Sequence, residues 1–328
     1  MSNNRNIVDQ RAGHIFQVKV PLPFPLRWVN SYVVKGVEGY TVIDPGIHTD
    51  DAEACWHEAL GLMNLKFSDI QQIVLTHHHP DHYGLSGWLQ QETGAKVWMS
   101  EAGKRQVDYL WGPYRRGTID LHTMFTLHGM NSQVGDMLVE HMEDFVTFVS
   151  PQPEVSFIKM NERFLLGDQF YKPIHTPGHA YGQLIFYHEA SGEIFCGDQV
   201  LPQITPNIGL LSMPGMDDNP LQSFLDSLSF LSTLDVNIAY PGHRDPFTGF
   251  AERCREIIEH HRERLERLIV MMDEPYTAYE ICLKFFGNKL SIHQLRFAMA
   301  ETLAHLAYLR ESGVLSEELR GNIVVYRQ

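Results

Sequence analysis

Four potential metal ligands fall within six positions of this 328-residue chain, in the run His77-x-His79-x-Asp81-His82. The run follows residues 72–75, a short apolar segment that reads as a strand. Alternate residues of an extended loop point the same way, so His77 and His79 converge on one ion while Asp81 and His82 face a neighbouring position. Imidazole and carboxylate at this density suit zinc, manganese or iron. Three more candidates follow strand signals: His179 closes His175-Thr176-Pro177-Gly178-His179, Asp198 follows Cys196-Gly197, and His243 ends Pro241-Gly242-His243. A Gly-Asp or Gly-His turn is common by itself. Seven such residues at strand ends are harder to read as turns.

The elements that must position these residues are legible in outline. Strand signals lie at 14–20, 30–35, 40–43, 72–75 and 95–99, with 30–35 and 40–43 split by glycines like a hairpin. Residues 50–63 and 85–91 have helical periodicity. From 101 to 148 the texture changes to a long, mostly helical insertion rich in aromatic residues and methionine, including Tyr109, Trp111, Tyr114, Met124, Phe125, Met130, Met137 and Met142. These residues suit core packing or a lid over a pocket; strand alternation resumes at 145–149. Further strands are expected at 155–158, 169–174, 184–187, 193–196 and 236–240. Residues 221–234 form an amphipathic helix with Asn219 as N-cap and Pro220 at its first position. A long charged helix covers 250–272. Glu274-Pro275 marks a boundary, dividing a catalytic domain at 1–272 from a tail at 273–328. The tail reads as helices at 278–286 and 291–312 and a strand at 322–326, a winged-helix-like arrangement.

Composition narrows the class. With 44% hydrophobic and 20% charged residues the chain can bury a core and is not disordered. No run approaches the roughly 18–20 apolar residues of a membrane helix, and the polar opening at 1–10 lacks the apolar stretch of a signal peptide. Cys55, Cys196, Cys254 and Cys282 form no CxxC pair or disulfide framework, which points to the cytoplasm and away from thiolate ligation. The formal charge of −14 counts against nucleic acid as a partner. The exposed face of 250–272 offers a surface for a homodimer. Of the 18 histidines, five belong to the candidate set.

The order HxHxDH, TPGH, GD and PGH, with the early Asp44 in Asp44-Pro45-Gly46, resembles the metallo-β-lactamase superfamily. Within it the chain is most similar to glyoxalase II-like hydrolases and to those resembling beta-lactamase-like protein 2, over roughly residues 14–250. The resemblance implies an α/β fold, an αββα sandwich with the site at the edge between two sheets. It implies that His77, His79 and His179 hold a first divalent ion, that Asp81, His82 and His243 hold a second, and that Asp198 bridges them. Zinc is the expected metal, with iron and manganese as alternatives. Asp44 supports the motif loop, and His78 and His175 match no ligand position. Aspartate at 198, where antibiotic-degrading lactamases carry cysteine, goes with the binuclear hydrolases.

Two divalent cations sharing a water lower its pKa toward neutrality. The expectation is therefore a metal-dependent hydrolase in which metal-bound hydroxide attacks an ester, thioester or lactone of a small molecule. Asp81 is the candidate catalytic residue, orienting the nucleophile and relaying a proton. Trp111, Tyr114 and Phe125 are candidates for an acyl pocket, Arg115-Arg116 for an anion contact, and Tyr181 for a site contact. The alternative is a metallo-endoribonuclease or phosphodiesterase, weakened by the nearly balanced charge of the tail.

Overall fold

The computed structural model describes residues 6–328. Residues 1–5, part of the polar opening expected to lack a signal segment, lie outside them. A first sheet takes seven strands in chain order: β1 (Val8–Ala12), β2 (Ile15–Pro21), β3 (Trp28–Lys35), β4 (Tyr40–Ile43), β5 (Ile70–Val74), β6 (Lys96–Met99) and β7 (Val155–Phe157). β1 to β4 pair antiparallel and β4 to β7 pair parallel. The parallel half requires crossovers, and these carry α1 (Asp50–Met63), then the single-turn α2 (Pro80–Tyr83) with α3 (Ser86–Thr93), then α4 (Glu101–Trp111), α5 (Gly117–Leu127) and α6 (Ser132–Asp144).

The second sheet contains β8 (Phe164–Leu166), β9 (Gln169–His175), β10 (Leu184–His188), β11 (Glu193–Gly197) and β12 (Ile238–Pro241), in the order β12-β11-β10-β9-β8. β11 and β12 pair parallel across α7 (Pro220–Leu231), whose N-cap Asn219 accepts from Gln222 N as the sequence expects. The sheets face each other: Tyr32, Val34, Ile43 and Val74 of the first share one buried cluster with Phe186, Phe195 and Tyr240 of the second. The Tyr32 ring lies 5.3 Å from Phe195 and 5.5 Å from Tyr240. Helices cover the outer faces, with Trp56 of α1, Leu89 of α3, Leu228 of α7 and Cys254 of α8 (Phe250–Met271) in a second cluster. The result is the αββα sandwich.

Beyond α8 come β13 (Tyr276–Thr277), α9 (Ala278–Phe286), α10 (Ile292–Glu311), β14 (Ser316–Arg320) and β15 (Ile323–Arg327). Thr277 with Glu280, and Ser291 with Gln294, close capping boxes that start α9 and α10. Twelve residues of α10 are buried, because the helix packs on α6, α7 and α9. Among the described residues no helix is long and apolar enough to cross a membrane.

Several elements differ from expectation, the short β8 and β13 among them. Residues 145–149 are not a strand but a 3-10 turn, Phe145–Val149, which buries Phe145 and Val149. The β-branched and aromatic residues suggest a strand, but Thr147, which a strand would bury on the same face as that pair, is exposed. β1 was hidden by its polar Asp9-Gln10-Arg11. β14 has five exposed residues and no buried face to impose alternation.

α8 and α10 meet at a buried histidine pair. His305 Nδ1 donates to the Glu301 carbonyl at 2.7 Å, which leaves its Nε2 to accept from His261 Nδ1 at 3.3 Å. Each ring is therefore neutral, and burial holds His261 down to about 2 and His305 to about 3. An unfolded histidine titrates near 6.5. The folded values are depressed, so this stability is present above pH 6.5 and is lost as pH falls, about 2 kcal/mol per histidine at pH 5. Urea unfolding between pH 7 and 5 should therefore show a smaller pH slope for His305→Gln than for wild type. Identical slopes would refute the assignment.

Candidate metal centre

β4 and β5 lie parallel in one sheet, and β9, β11 and β12 run in a common direction in the other. Their C-terminal ends therefore deliver Asp44, the His77–His82 loop, His179, Asp198 and His243 to one edge of the sandwich. The loops are fastened to each other by main chain. Gly242 N donates to Gly197 O at 2.8 Å, Asn30 N to Gly242 O at 2.7 Å, and Leu184 N to Thr76 O at 2.8 Å. Tyr32 Oη and Asn30 Nδ2 both donate to Pro241 O, at 2.7 and 2.9 Å.

The seven candidate residues come together. Ligand atoms of His77, His79 and His179 lie within 4.8 Å of one another, and so do those of Asp81, His82 and His243. Asp198 reaches both groups: its carboxylate is 3.8 Å from His179 Nε2 and 3.3 Å from both His82 Nε2 and His243 Nε2. Asp81 Oδ2 lies 3.2 Å from His243 Nε2. His77, His82, Asp198 and His243 are buried.

The outer nitrogens of three of these rings have their own partners, the arrangement typical of metal-ligating histidines. His82 Nδ1 donates to Asp44 at 2.9 Å, His179 Nδ1 to Asn207 O at 2.9 Å, and His243 Nδ1 faces Trp28 O at 3.2 Å. Asp44 also accepts from Thr76 N and Oγ1, at 2.8 and 2.6 Å. A third grouping, Asp44 with His77 and His82, is close enough to hold an ion. Asp44 is already spent on these hydrogen bonds, so it clamps the loop. Its left-handed backbone, φ 52°, is one a non-glycine residue adopts only when surroundings hold it.

Three inward-facing atoms are left unpaired: His82 Nε2, His179 Nε2 and Asp198 Oδ1 are buried without a hydrogen-bond partner. Burial, reinforced by neighbouring imidazoles, holds His77 and His79 well below the ordinary histidine value, and burial lowers His179 as well. For His82 and His243 burial opposes the charge but Asp198, with Asp81, outweighs it; His82 is raised well above its usual value and His243 to about 10. Burial raises Asp198, yet the facing His243 and His82 pull it well below the carboxylate range. Neutral imidazoles at His77, His79 and His179, ionised carboxylates at Asp81 and Asp198, and two further imidazoles, His82 and His243, whose protons a cation would displace are a donor set that fits divalent cations.

The centre forms the floor of a cavity of about 500 Å³ lined by His79, Asp81, His179, Asp198 and His243 together with Trp111 and Tyr181. Two acyl-pocket candidates are displaced. Tyr114 is 93% exposed, and Phe125 is sealed in the core. The Arg115 guanidinium pairs with Glu143, and Arg116 lies 3.7 Å from Asp120. Of the two histidines beside the motifs, His78 is buried and lines the cavity, whereas His175 is exposed and donates to Tyr181 O at 2.5 Å.

Sequence reasoning missed a chain of contacts from the tail. Arg264 of α8 pairs with Glu301 of α10; Glu301 Oε2 accepts from Asn207 Nδ2 at 2.6 Å, and Asn207 O holds His179. No local motif marks Asn207 or Glu301, since 94 positions separate them. Glu301→Gln should weaken metal binding by about tenfold, the low end for an outer partner of a ligand. Metal-competition titration checks this, and unchanged affinity would dismiss the relay. At Gly242 an added Cβ would collide with Asp198 Oδ1 and lie 2.5 Å from His82 Cε1. Gly242→Ala should lose bound metal while circular dichroism stays native. Full metal content would contradict this packing.

Residues 26–243 match the family model described as the metallo-beta-lactamase superfamily, and residues 265–328 match the metallo-beta-lactamase-like C-terminal domain. A solved metallo-beta-lactamase family protein of Thermus thermophilus is 33% identical, with a TM-score of 0.87 over 97% of this chain and 99% of that one. A probable metallo-hydrolase of Bacillus subtilis is 28% identical, covering 95% of this chain and 97% of its own length. A more distant relative is an atrochrysone carboxyl ACP thioesterase of Passalora fulva, 20% identical over 89% of this chain and 74% of its own.

Proposed function

This chain belongs to the metallo-beta-lactamase superfamily and is a metal-dependent hydrolase, and from that premise we propose that it cleaves an ester, thioester or lactone of a small molecule at a binuclear centre. The observation that carries the proposal is the buried Asp198 carboxylate, which stands between two groups of three ligands on the floor of a largely apolar cavity. His77, His79 and His179 would hold one ion, Asp81, His82 and His243 the other, with Asp198 shared. Zinc suits these nitrogen and oxygen donors. When bound, the two ions supply Lewis acidity to the scissile carbonyl and lower the pKa of a water.

The chain's own residues do the rest. Leu22, Leu110 and Leu211 line the cavity and take the apolar acyl portion out of water. Asp81 lines the same cavity, so its carboxylate is the group at hand to accept a proton from the attacking water and return it to the leaving oxygen or sulfur. Asp44, Asn207 and the Trp28 carbonyl keep three imidazoles turned so that their inner nitrogens face the Asp198 carboxylate. The apolar lining suits an acyl chain better than a phosphodiester backbone, and the thioesterase among the relatives supports a thioester. The four buried free cysteines support a reducing, cytoplasmic setting.

Purified protein should carry close to two metal ions per chain. Asp198→Ala should lose metal and cut turnover by more than the 10–100-fold typical of an outer partner. Unchanged metal content and activity would contradict a shared ligand. A panel of acyl thioesters, lactones, phosphodiesters and RNA should show cleavage of the carbonyl substrates. Selective RNA cleavage with steep salt sensitivity would instead assign the nuclease reading.

A further inference from the structure

The C-terminal segment does more than hold His179. The first turns of α10 bring His293, Arg296, Phe297 and Ala300 into the wall of the same cavity. Positions 293, 296, 297 and 300 share a helix face. The His293 ring stacks 5.1 Å from Phe24 and 5.6 Å from Phe145, packing the helix start against the catalytic domain. Beside it the Arg296 guanidinium carbon lies 4.1 Å from the Phe297 ring centre and 5.6 Å from that of Phe145.

Among the described residues this arginine has no counter-ion. Its Nε is buried without a hydrogen-bond partner, and among the described residues no carboxylate approaches it within ion-pair distance. Burial pulls its pKa down to about 10, offset only by the more distant Asp81. A guanidinium stays charged under these conditions, and a charge withdrawn from water without a partner is costly. Aromatic faces partly offset that cost and fix the plane of the fork. Arg296 as a whole is half-buried and lines the cavity, so its terminal N–H groups are left to a ligand, and their fork matches a carboxylate. The remaining wall is mostly apolar; its carboxylates are Asp81 and Asp198 of the candidate metal centre and Asp217, and none of them pairs with Arg296.

We propose that Arg296 anchors a carboxylate on the acyl portion of the substrate, so that the enzyme selects apolar acyl groups ending in an anion. This rests on the hydrolase reading above and names its substrate class. The C-terminal domain thereby determines specificity while the sandwich performs the cleavage.

The test compares the N-acetylcysteamine monothioester of suberic acid, with its free carboxylate, against its methyl ester. Wild-type enzyme should favour the carboxylate in kcat/KM by at least about tenfold, within the range of a buried charged hydrogen bond. Arg296→Met should bring that ratio close to one. Arg296→Lys keeps the charge but loses the fork, so it should retain part of the preference. Equal use of both substrates by wild type, or a preference that survives Arg296→Met, overturns the anchor. A calorimetric arm reads binding alone, using 5-phenylvalerate, 5-phenylvaleramide and 3-phenylpropylphosphonate. Wild type should bind the carboxylate tighter than the amide, and Arg296→Met should lose that margin. Tighter binding of the phosphonate than of the carboxylate would assign the anchor to a phosphate and overturn the carboxylate proposal. If wild type cleaves neither thioester, the thioester reading fails, and the calorimetric arm still decides the anchor.

Discussion

Two carboxylates and five imidazoles share one buried corner of this fold, and the structure around them depends on how that charge is balanced. Asp198 is buried within 3.8 Å of three histidine nitrogens, and Asp81 lies 3.2 Å from one of them. Isolated in a low-dielectric interior, such groups are expensive. Without a cation, protonated His82 and His243 balance them; a divalent ion displaces those protons on binding. The corner is thus built to exchange protons for metal, and its surroundings prevent it from collapsing. Asp44, Asn207 and the Trp28 carbonyl each occupy the outer nitrogen of a ring, which keeps the inner nitrogens pointing at one another.

The C-terminal domain belongs to this arrangement. Glu301 reaches His179 through Asn207, and α10 closes the cavity wall with His293 and Arg296. The helical stretch between β6 and β7 packs against the same helix: α6 contacts α10 and α5 contacts β15. Insertion and tail together make the cavity that the sandwich edge alone leaves open. This is the physical reason the chain carries both.

What the sequence disclosed was local. His77, His79, Asp81 and His82 are neighbours in the chain, and glycine turns flag His179, Asp198 and His243 at strand ends, so the resemblance could be built from short motifs. The sheets followed from apolar runs, except where burial leaves no pattern, as in β14. Residues 145–149 misled because composition suggested one period and packing imposed another. Arg296 and Glu301 were illegible for a different reason. Each looks like an ordinary charge on a helix, and only the tertiary contact with residues far away in sequence gives either a role.

The central claim is that these seven side chains hold a pair of ions. X-ray absorption spectroscopy on zinc-loaded protein tests it most directly. The account predicts only nitrogen and oxygen neighbours at about 2.0–2.2 Å, and a metal–metal vector at about 3.5–4 Å. Sulfur in the coordination shell, or an isolated ion with no second metal at full loading, would contradict it.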